Sequence, residues 1–435
     1  MTISAGGKHD HLSGREKRPP GVETLRRLIE TLFYASLRTE EGEPIRCRIA
    51  FINRDDPDPR PPERIVADRW QTVTFESEIP FSVPNLAKLA KAADPWASTL
   101  AVWASGSDLK IWGAVDQSVH YNAFVFRENN EGPEMPGMFQ AVIEGTGEIA
   151  VYKRFVLLGA LKKQVFIEKQ LAVFSRGPVR GRLASSLNRF VDLVHNDVGK
   201  KIYSERDHWG DSLRGQWIST LCRILIGIQR YKHGGALLIS DRGKDDLRRK
   251  YAIEYDRLKR ALRRYGHQRI LETYYSDQIY SRYTERNQQQ MPVELYLDEV
   301  VHRNEREDIR DEVTGCIRFI ASLSRVDGLV WLDGDLSVKG FGVEVKVDED
   351  PPKLLQALNA SGTKTRQLDV EHFGMRHRSM MRFCDKYPAS IGFVVSQDGD
   401  IRAVMKENRA VLLWENVRVL ELLNARSRLR SKKKS

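Results

Sequence analysis

Three short apolar runs in the second half of the chain constrain its fold most. They are Gly234-Gly235-Ala236-Leu237-Leu238-Ile239-Ser240, Val326-Asp327-Gly328-Leu329-Val330-Trp331-Leu332, and Ala389 to Val395. Each is too short for a buried helix and is bounded by Gly, Asp or Ser, as a strand is. Between them lie helical patterns. Ile309, Val313, Cys316, Ile317 and Ile320 predict a helix over Glu305 to Leu323, and another is expected over Ser379 to Lys386. Strands alternating with helices give an α/β (α+β) class.

The rest of the chain reads in the same terms. Residues 1–20 are expected to be a disordered tail. Val22, Leu25, Leu28, Ile29, Leu32 and Phe33 recur at helical spacing, and Ile45 to Phe51 alternates like a strand. Asp55 to Pro62 carries four prolines and reads as a surface loop. Leu86, Leu89 and Ala92 mark a short helix. Hairpins are expected around Ser105-Gly106-Ser107 and Gly145-Thr146-Gly147. This first domain is set at 21–175, a helical connector at 176–209, and a second domain at 210–423. His120 and Glu144 stand isolated in the first domain and read as structural. Asp245 to Tyr265 is expected to be one charged helix, with Leu247, Tyr251, Leu258, Leu262 and Tyr265 as its apolar stripe. Its basic surface reads as a solvated face.

Charge adds a bound. The net charge is +11, but six basic residues and no acid lie between Arg426 and Lys434, inside a tail set at 424–435. Nucleic acid is a partner for that tail, not the main role. The cysteines, Cys47, Cys222, Cys316 and Cys384, are far apart and show no zinc spacing. No apolar run approaches the roughly 18 residues of a spanning helix, and no signal-peptide pattern opens the chain. A cytoplasmic protein without membrane contact is expected.

The chemistry gathers in two places. Gly374-Met375-Arg376-His377-Arg378-Ser379 sets two guanidinium groups around a histidine at a predicted helix start, where free N–H groups and the dipole favour anions. His377 is suited to donate a hydrogen bond between them. Asp327-Gly328 puts a carboxylate and a glycine at a helix-to-strand junction. There Asp327 is placed to hold Mg²⁺ or Mn²⁺ beside phosphates. Asp333-Gly334-Asp335 then turns the chain into a hairpin.

In this order, the Gly-Ala strand, the Asp-Gly strand and the Arg-His-Arg turn with its helix, strand and Ser-Gln resemble the diadenylate cyclase (DisA-type, DAC) family. The resemblance runs from about residue 210 to 420, with a helical insertion at about 241–305. It implies a mixed sheet flanked by helices, ATP as substrate, and two cyclase domains face to face in a homo-oligomer. It also implies that two ATP condense to cyclic di-AMP with release of two pyrophosphates. Asp327 would bind the metal, and Gly328 and Leu329 would lie against nucleotide. Arg376, His377 and Arg378 would grip phosphates, and Gly374, Ser379 and Ser396 would support them. Two positions depart from the pattern: Leu329 replaces an alanine and Met375 a threonine. These departures support an alternative, an inactive nucleotide-binding sensor of the same fold.

The first domain is similar to the DACNV-like sensor domains found in front of such cyclases. Val102-Trp103 to Val115 also echoes Val330-Trp331 to Val343. The echo suggests a degenerate copy of the cyclase fold, with Thr99-Leu100 where Asp327-Gly328 stands.

Overall fold

The computed structural model describes residues 20–54, 71–106, 108–117, 138–153, 156–162, 165–167, 170–199, 206–285, 291–397 and 399–419. The chain divides into two compact units, at Gln170 and Leu171. The 1–20 tail (except Pro20), the proline loop, His120 and the 424–435 tail fall outside the described residues.

The first unit opens with helix α1 (Val22–Ser36), whose Leu28, Leu32 and Ala35 are buried while Val22 is exposed. A ribbon of β1 (Thr39–Glu40) and β2 (Glu43–Pro44) follows. The sheet is built from β3 (Arg48–Phe51), β4 (Gln71–Pro80), β5 (Ser98–Ser105), β6 (Asp108–Asp116), β7 (Phe139–Gly145), β8 (Glu148–Lys153), β9 (Val156–Lys162) and β10 (Val165–Ile167). Helix α2 (Val83–Ala90) precedes β5 and packs with α1 on one face. The strand order is β10-β9-β8-β7-β3-β5-β6-β4. Both expected hairpins form. Glu144 accepts a hydrogen bond from Tyr152 Oη at 2.7 Å.

The second unit starts with helices α3 (Pro178–Arg182), α4 (Ala184–Val198) and α5 (Arg206–Arg230). The expected connector is part of this unit's core. Leu183, Leu187, Phe190, Val191 and Val194 pack in one cluster with Trp217, Leu221, Ile224 and Ile228 of α5. The sheet contains β11 (Gly235–Ile239), β12 (Leu247–Tyr251), β13 (Leu329–Leu332), β14 (Val338–Val345), β15 (Leu354–Ala357), β16 (Thr365–Leu368), β17 (Ile391–Val395), β18 (Ile401–Glu407) and β19 (Ala410–Trp414). Its order is β12-β14-β13-β11-β17-β18-β19-β15-β16.

The charged segment after Asp245 is not one helix. Leu247–Tyr251 is an edge strand on β14, and helix α6 (Arg257–Ile279) begins only after it. Leu247 turns into the core and Tyr251 stacks on Phe341 at 4.7 Å. Arg248 and Lys250 are exposed, as charges on an edge strand commonly are. The insertion therefore supplies a strand as well as helices. The basic residues of α6 are engaged by acids of the same unit: Arg257 and Arg264 with Glu312, Lys259 with Asp335, Arg263 with Asp197. Helix α7 runs Val293–Leu323, twelve residues longer at its start than its apolar pattern suggests.

Alternation along β13 shows how the sheet separates two layers. Val330 and Leu332 join the cluster under α4 to α7, while Leu329 and Trp331 join the one under helix α8 (Met375–Lys386). Gly392 of β17 meets Met380 of α8 so closely that a Cβ would not fit.

The two sheets share an arrangement. Seven strands of the first, β4-β6-β5-β3-β7-β8-β9, match seven of the second, β12-β14-β13-β11-β17-β18-β19, in order and chain sequence. The central pair is parallel in both, β3 with β5 and β11 with β13, and the remaining five pairings are antiparallel in both.

Candidate functional site

Register brings the sequence-predicted residues of the second unit to one end of its sheet. Leu237 lies opposite Val330 in the parallel pair β11–β13, so two residues earlier Gly235 is level with Gly328. Gly235 is also opposite Val395 in the antiparallel pair β11–β17. Gly234, Asp327-Gly328 and Ser396 are therefore neighbours at the same end.

Helix α8 reaches this end with its first turn. It begins at Met375, four residues before the expected start, with Gly374 as N-cap. Arg376, His377 and Arg378 thus stand inside the helix. His377 N and Arg378 N donate to Gly374 O at 3.0 and 3.2 Å. The N–H groups of Met375 and Arg376 have no partner among the described residues and are open to an anion. The Arg376 guanidinium reaches Gly234, the residue before β11. A Cβ on Gly234, whose φ is +71°, would fall 2.9 Å from Arg376 Nη1, 3.0 Å from Val395 O and 3.3 Å from Gln397 N. The glycine is required for the arginine to come this close.

His377 is half-buried, and its Nε2 is 2.9 Å from Arg402 Nη1 at the start of β18. The guanidinium can only donate, so Nε2 accepts and Nδ1 carries the proton. Burial, then Arg402 and Arg376, push the imidazole down to about 4.

Arg378 faces a different neighbour. Its Nη2 donates to Asp350 Oδ2 at 2.5 Å, and Arg382 Nε donates to Asp350 Oδ1 at 2.6 Å. Hydrogen bonds from Arg382 and then Arg378 hold the Asp350 carboxyl below its usual range. Arg378 Nε is buried without a partner.

Asp327 is exposed and forms no ion pair or hydrogen bond among the described residues. Gly328 has φ +112°, and a Cβ there would sit 2.6 Å from the Gly342 carbonyl carbon. Its close approach to β14 accounts for the glycine. Leu329 is buried in the cluster under α8. Ser396 is half-buried and its Oγ accepts from Asp400 N at 3.0 Å, closing the turn after β17. Ser379 is half-buried one turn into α8.

Among the described residues, no group of three or more His, Cys, Asp or Glu forms a metal cage. A hard divalent ion that keeps waters and takes substrate phosphates needs only one or two carboxylates, and unpaired, exposed Asp327 fits that demand. The four cysteines are free and buried, and burial pushes the thiols of Cys47 and Cys384 up to about 12, which removes them as nucleophiles.

Sequence reasoning missed Asp350, Arg382 and Arg402. Arg382 had a signal, since it stands four residues after Arg378 on one helix face. Asp350 and Arg402 had none, because their partners are fixed by strand order.

Residues 15–116 match the family model described as "Probable sensor domain DACNV". That match lies in the first unit and covers under a quarter of the chain. No curated protein matches the chain. Among the described residues, no helix is long and apolar enough to cross a membrane.

Proposed function

We propose that the second unit is a metal-dependent diadenylate cyclase, condensing two ATP into cyclic di-AMP under control of the N-terminal sensor unit. One observation carries this reading: the Arg376 guanidinium, an open helix N-terminus and the Asp327 carboxylate converge on one end of the sheet. Arginine clamps and helix N–H groups stabilise charge that develops during phosphoryl transfer. In this reading the 3′-hydroxyl of each ATP attacks the α-phosphate of the other, and pyrophosphate leaves twice. Two chains would face each other in a homo-oligomer to supply both ATP molecules. Asp327 and the substrate phosphates would hold Mg²⁺ or Mn²⁺, which supplies Lewis-acid polarisation of phosphoryl oxygens when bound. Arg376 and the N–H groups of Met375 and Arg376 would bind and orient phosphates. His377, neutral, would donate from Nδ1 rather than act as a base.

The first unit, in this reading, is a repeat of the same fold without the site. Thr99-Leu100 replaces Asp327-Gly328, and the sequence of that unit contains no Arg-His-Arg. It would regulate rather than react.

A second reading, an inactive nucleotide sensor, is favoured by one observation: Arg378 is already paired with Asp350. The test is incubation of the full chain with ATP and Mn²⁺ or Mg²⁺, products resolved by chromatography, beside Asp327→Asn. Cyclic di-AMP from the unaltered chain alone supports the cyclase. Nucleotide binding without product supports the sensor, and neither binding nor product rejects both.

A further inference from the structure

The mouth of the site carries an aromatic ring that the phosphate reading does not use. Helix α5 ends at Arg230, and Tyr231-Lys232-His233-Gly234 leads into β11. Helix α7 ends at Leu323, and Ser324 to Gly328 leads into β13. Both links arrive at the sheet end that holds Arg376 and Asp327. They meet there: the Arg325 guanidinium carbon lies 5.3 Å from the centre of the Tyr231 ring. Tyr231 is 39% exposed and Arg325 is exposed too, so the pair faces solvent at this end of the sheet and not the core.

The link that displays the ring is held firmly. Gln229 Nε2 donates to Gly399 O, in the turn that Ser396 closes. Tyr231 N and Lys232 N donate to Ile228 O and Gln229 O, each at 3.2 Å. Lys232 has φ +50° and Gly234 φ +71°. Lys232 in the left-handed region closes the end of α5, a place where helices commonly adopt that conformation. Arg325 stands two residues before Asp327, so the ring, the guanidinium and the carboxylate share one short stretch of surface.

We propose that Tyr231 and Arg325 form a stacking platform for the purine base of a nucleotide whose phosphates lie on Arg376 and the N-terminus of α8. The proposal rests on the phosphate-site reading and adds the base to it. Every base has a π-face, and bases stack on aromatic rings and on guanidinium planes. Stacking is worth roughly tenfold or more in affinity per base. The platform selects for a base without reading its edge, so it explains binding of a nucleotide over bare triphosphate, not adenine over guanine.

The test compares ATP with inorganic triphosphate, both with Mg²⁺, by calorimetry on the full chain. Tyr231→Ala should weaken ATP roughly tenfold or more while leaving triphosphate unchanged, and Tyr231→Phe should restore ATP. Unchanged ATP affinity in Tyr231→Ala would overturn the platform, as would equal weakening of ATP and triphosphate. Arg376→Ala should weaken both ligands together. If the unaltered chain binds triphosphate as tightly as ATP, the platform fails and the phosphate site stands. If it binds neither, the phosphate reading fails and the platform falls with it.

Discussion

Arg402 donates through Nη1 to His377 Nε2 across 2.9 Å, joining the first residues of β18 to the first turn of α8. Arg402 is itself held by Glu415, whose Oε1 is 3.5 Å from Arg402 Nε. The histidine of the Arg-His-Arg cluster is therefore a fixed, neutral donor. Its tautomer is set by a residue 25 positions away.

Two consequences follow for pH. Arg402→Leu removes a cationic neighbour, so the His377 midpoint should rise from about 4 towards its ordinary 6.5. Histidine-selective NMR would read both the midpoint and the Nδ1–H tautomer. The folded value lies below the unfolded one. Between pH 6.5 and 4 the unfolded chain thus holds a proton that the folded chain lacks, and stability falls as pH drops through that window. For this half-buried ring the loss should be about 2 kcal/mol, after allowing for solvent, and smaller in Arg402→Leu. Urea unfolding at pH 7 and pH 4.5 on both chains checks it.

Asp350 occupies the anion-binding edge of Arg378 and Arg382. If Arg378 grips substrate phosphate, Asp350 competes with it. Asp350→Asn should then tighten ATP binding several-fold, at a stability cost no greater than about 1 kcal/mol because the pair is partly solvated. Weaker ATP binding in this variant would mean that Asp350 orients Arg378 instead.

Much of the second unit was legible because its strands are short apolar runs with glycines at their mouths. What those glycines meet was not legible: Gly234 lies against Arg376, and the close neighbour of Gly328, where a nucleotide was expected, is the Gly342 backbone. Leu247 to Tyr251 was misread because Leu247, Tyr251 and Leu258 fit a helical stripe. Its pairing with β14, from Leu247 opposite Val345 to Tyr251 opposite Phe341, makes it a strand. Asp350 and Arg402 were invisible for a related reason. Each is an ordinary charged residue until the sheet order brings it under α8. Asp350 also lies in a segment, Asp348 to Pro352, with neither helical nor strand periodicity.

Glycines at the site separate into required and permitted. Gly328→Ala would force a Cβ to 2.6 Å from the Gly342 carbonyl carbon at φ +112°, combining overpacking with backbone strain. It should cost about 3 kcal/mol or more. Gly374→Ala meets nothing within 4 Å, and the N-cap has an ordinary φ of −67°. It should change stability by no more than a few tenths to about 1 kcal/mol. Denaturant midpoints of the two variants distinguish the cases.

The shared strand order of the two sheets leads to a prediction about stoichiometry. Ala50 lies beside Ala101 in β3–β5, as Ala236 lies level with Leu329 in β11–β13. Two residues further along, Trp103 and Trp331 point to the same side of their sheets, each packed against that alanine's cluster. By this correspondence Thr99 stands where Asp327 does. It is fully buried and bonded to Gln117 at 3.3 Å, whereas Asp327 is exposed and unpaired. Arg48, at the station of Gly234, fills its own space, donating to Pro95 O and Gln140 Oε1 at 3.0 Å each. The first unit has thus closed with its own side chains the end that the second leaves open. Calorimetry of the full chain should find one ATP per chain. Arg376→Ala should abolish or strongly weaken that single event, and Thr99→Val should leave it unchanged. A second ATP per chain that survives Arg376→Ala would show that the first unit keeps a nucleotide site of its own.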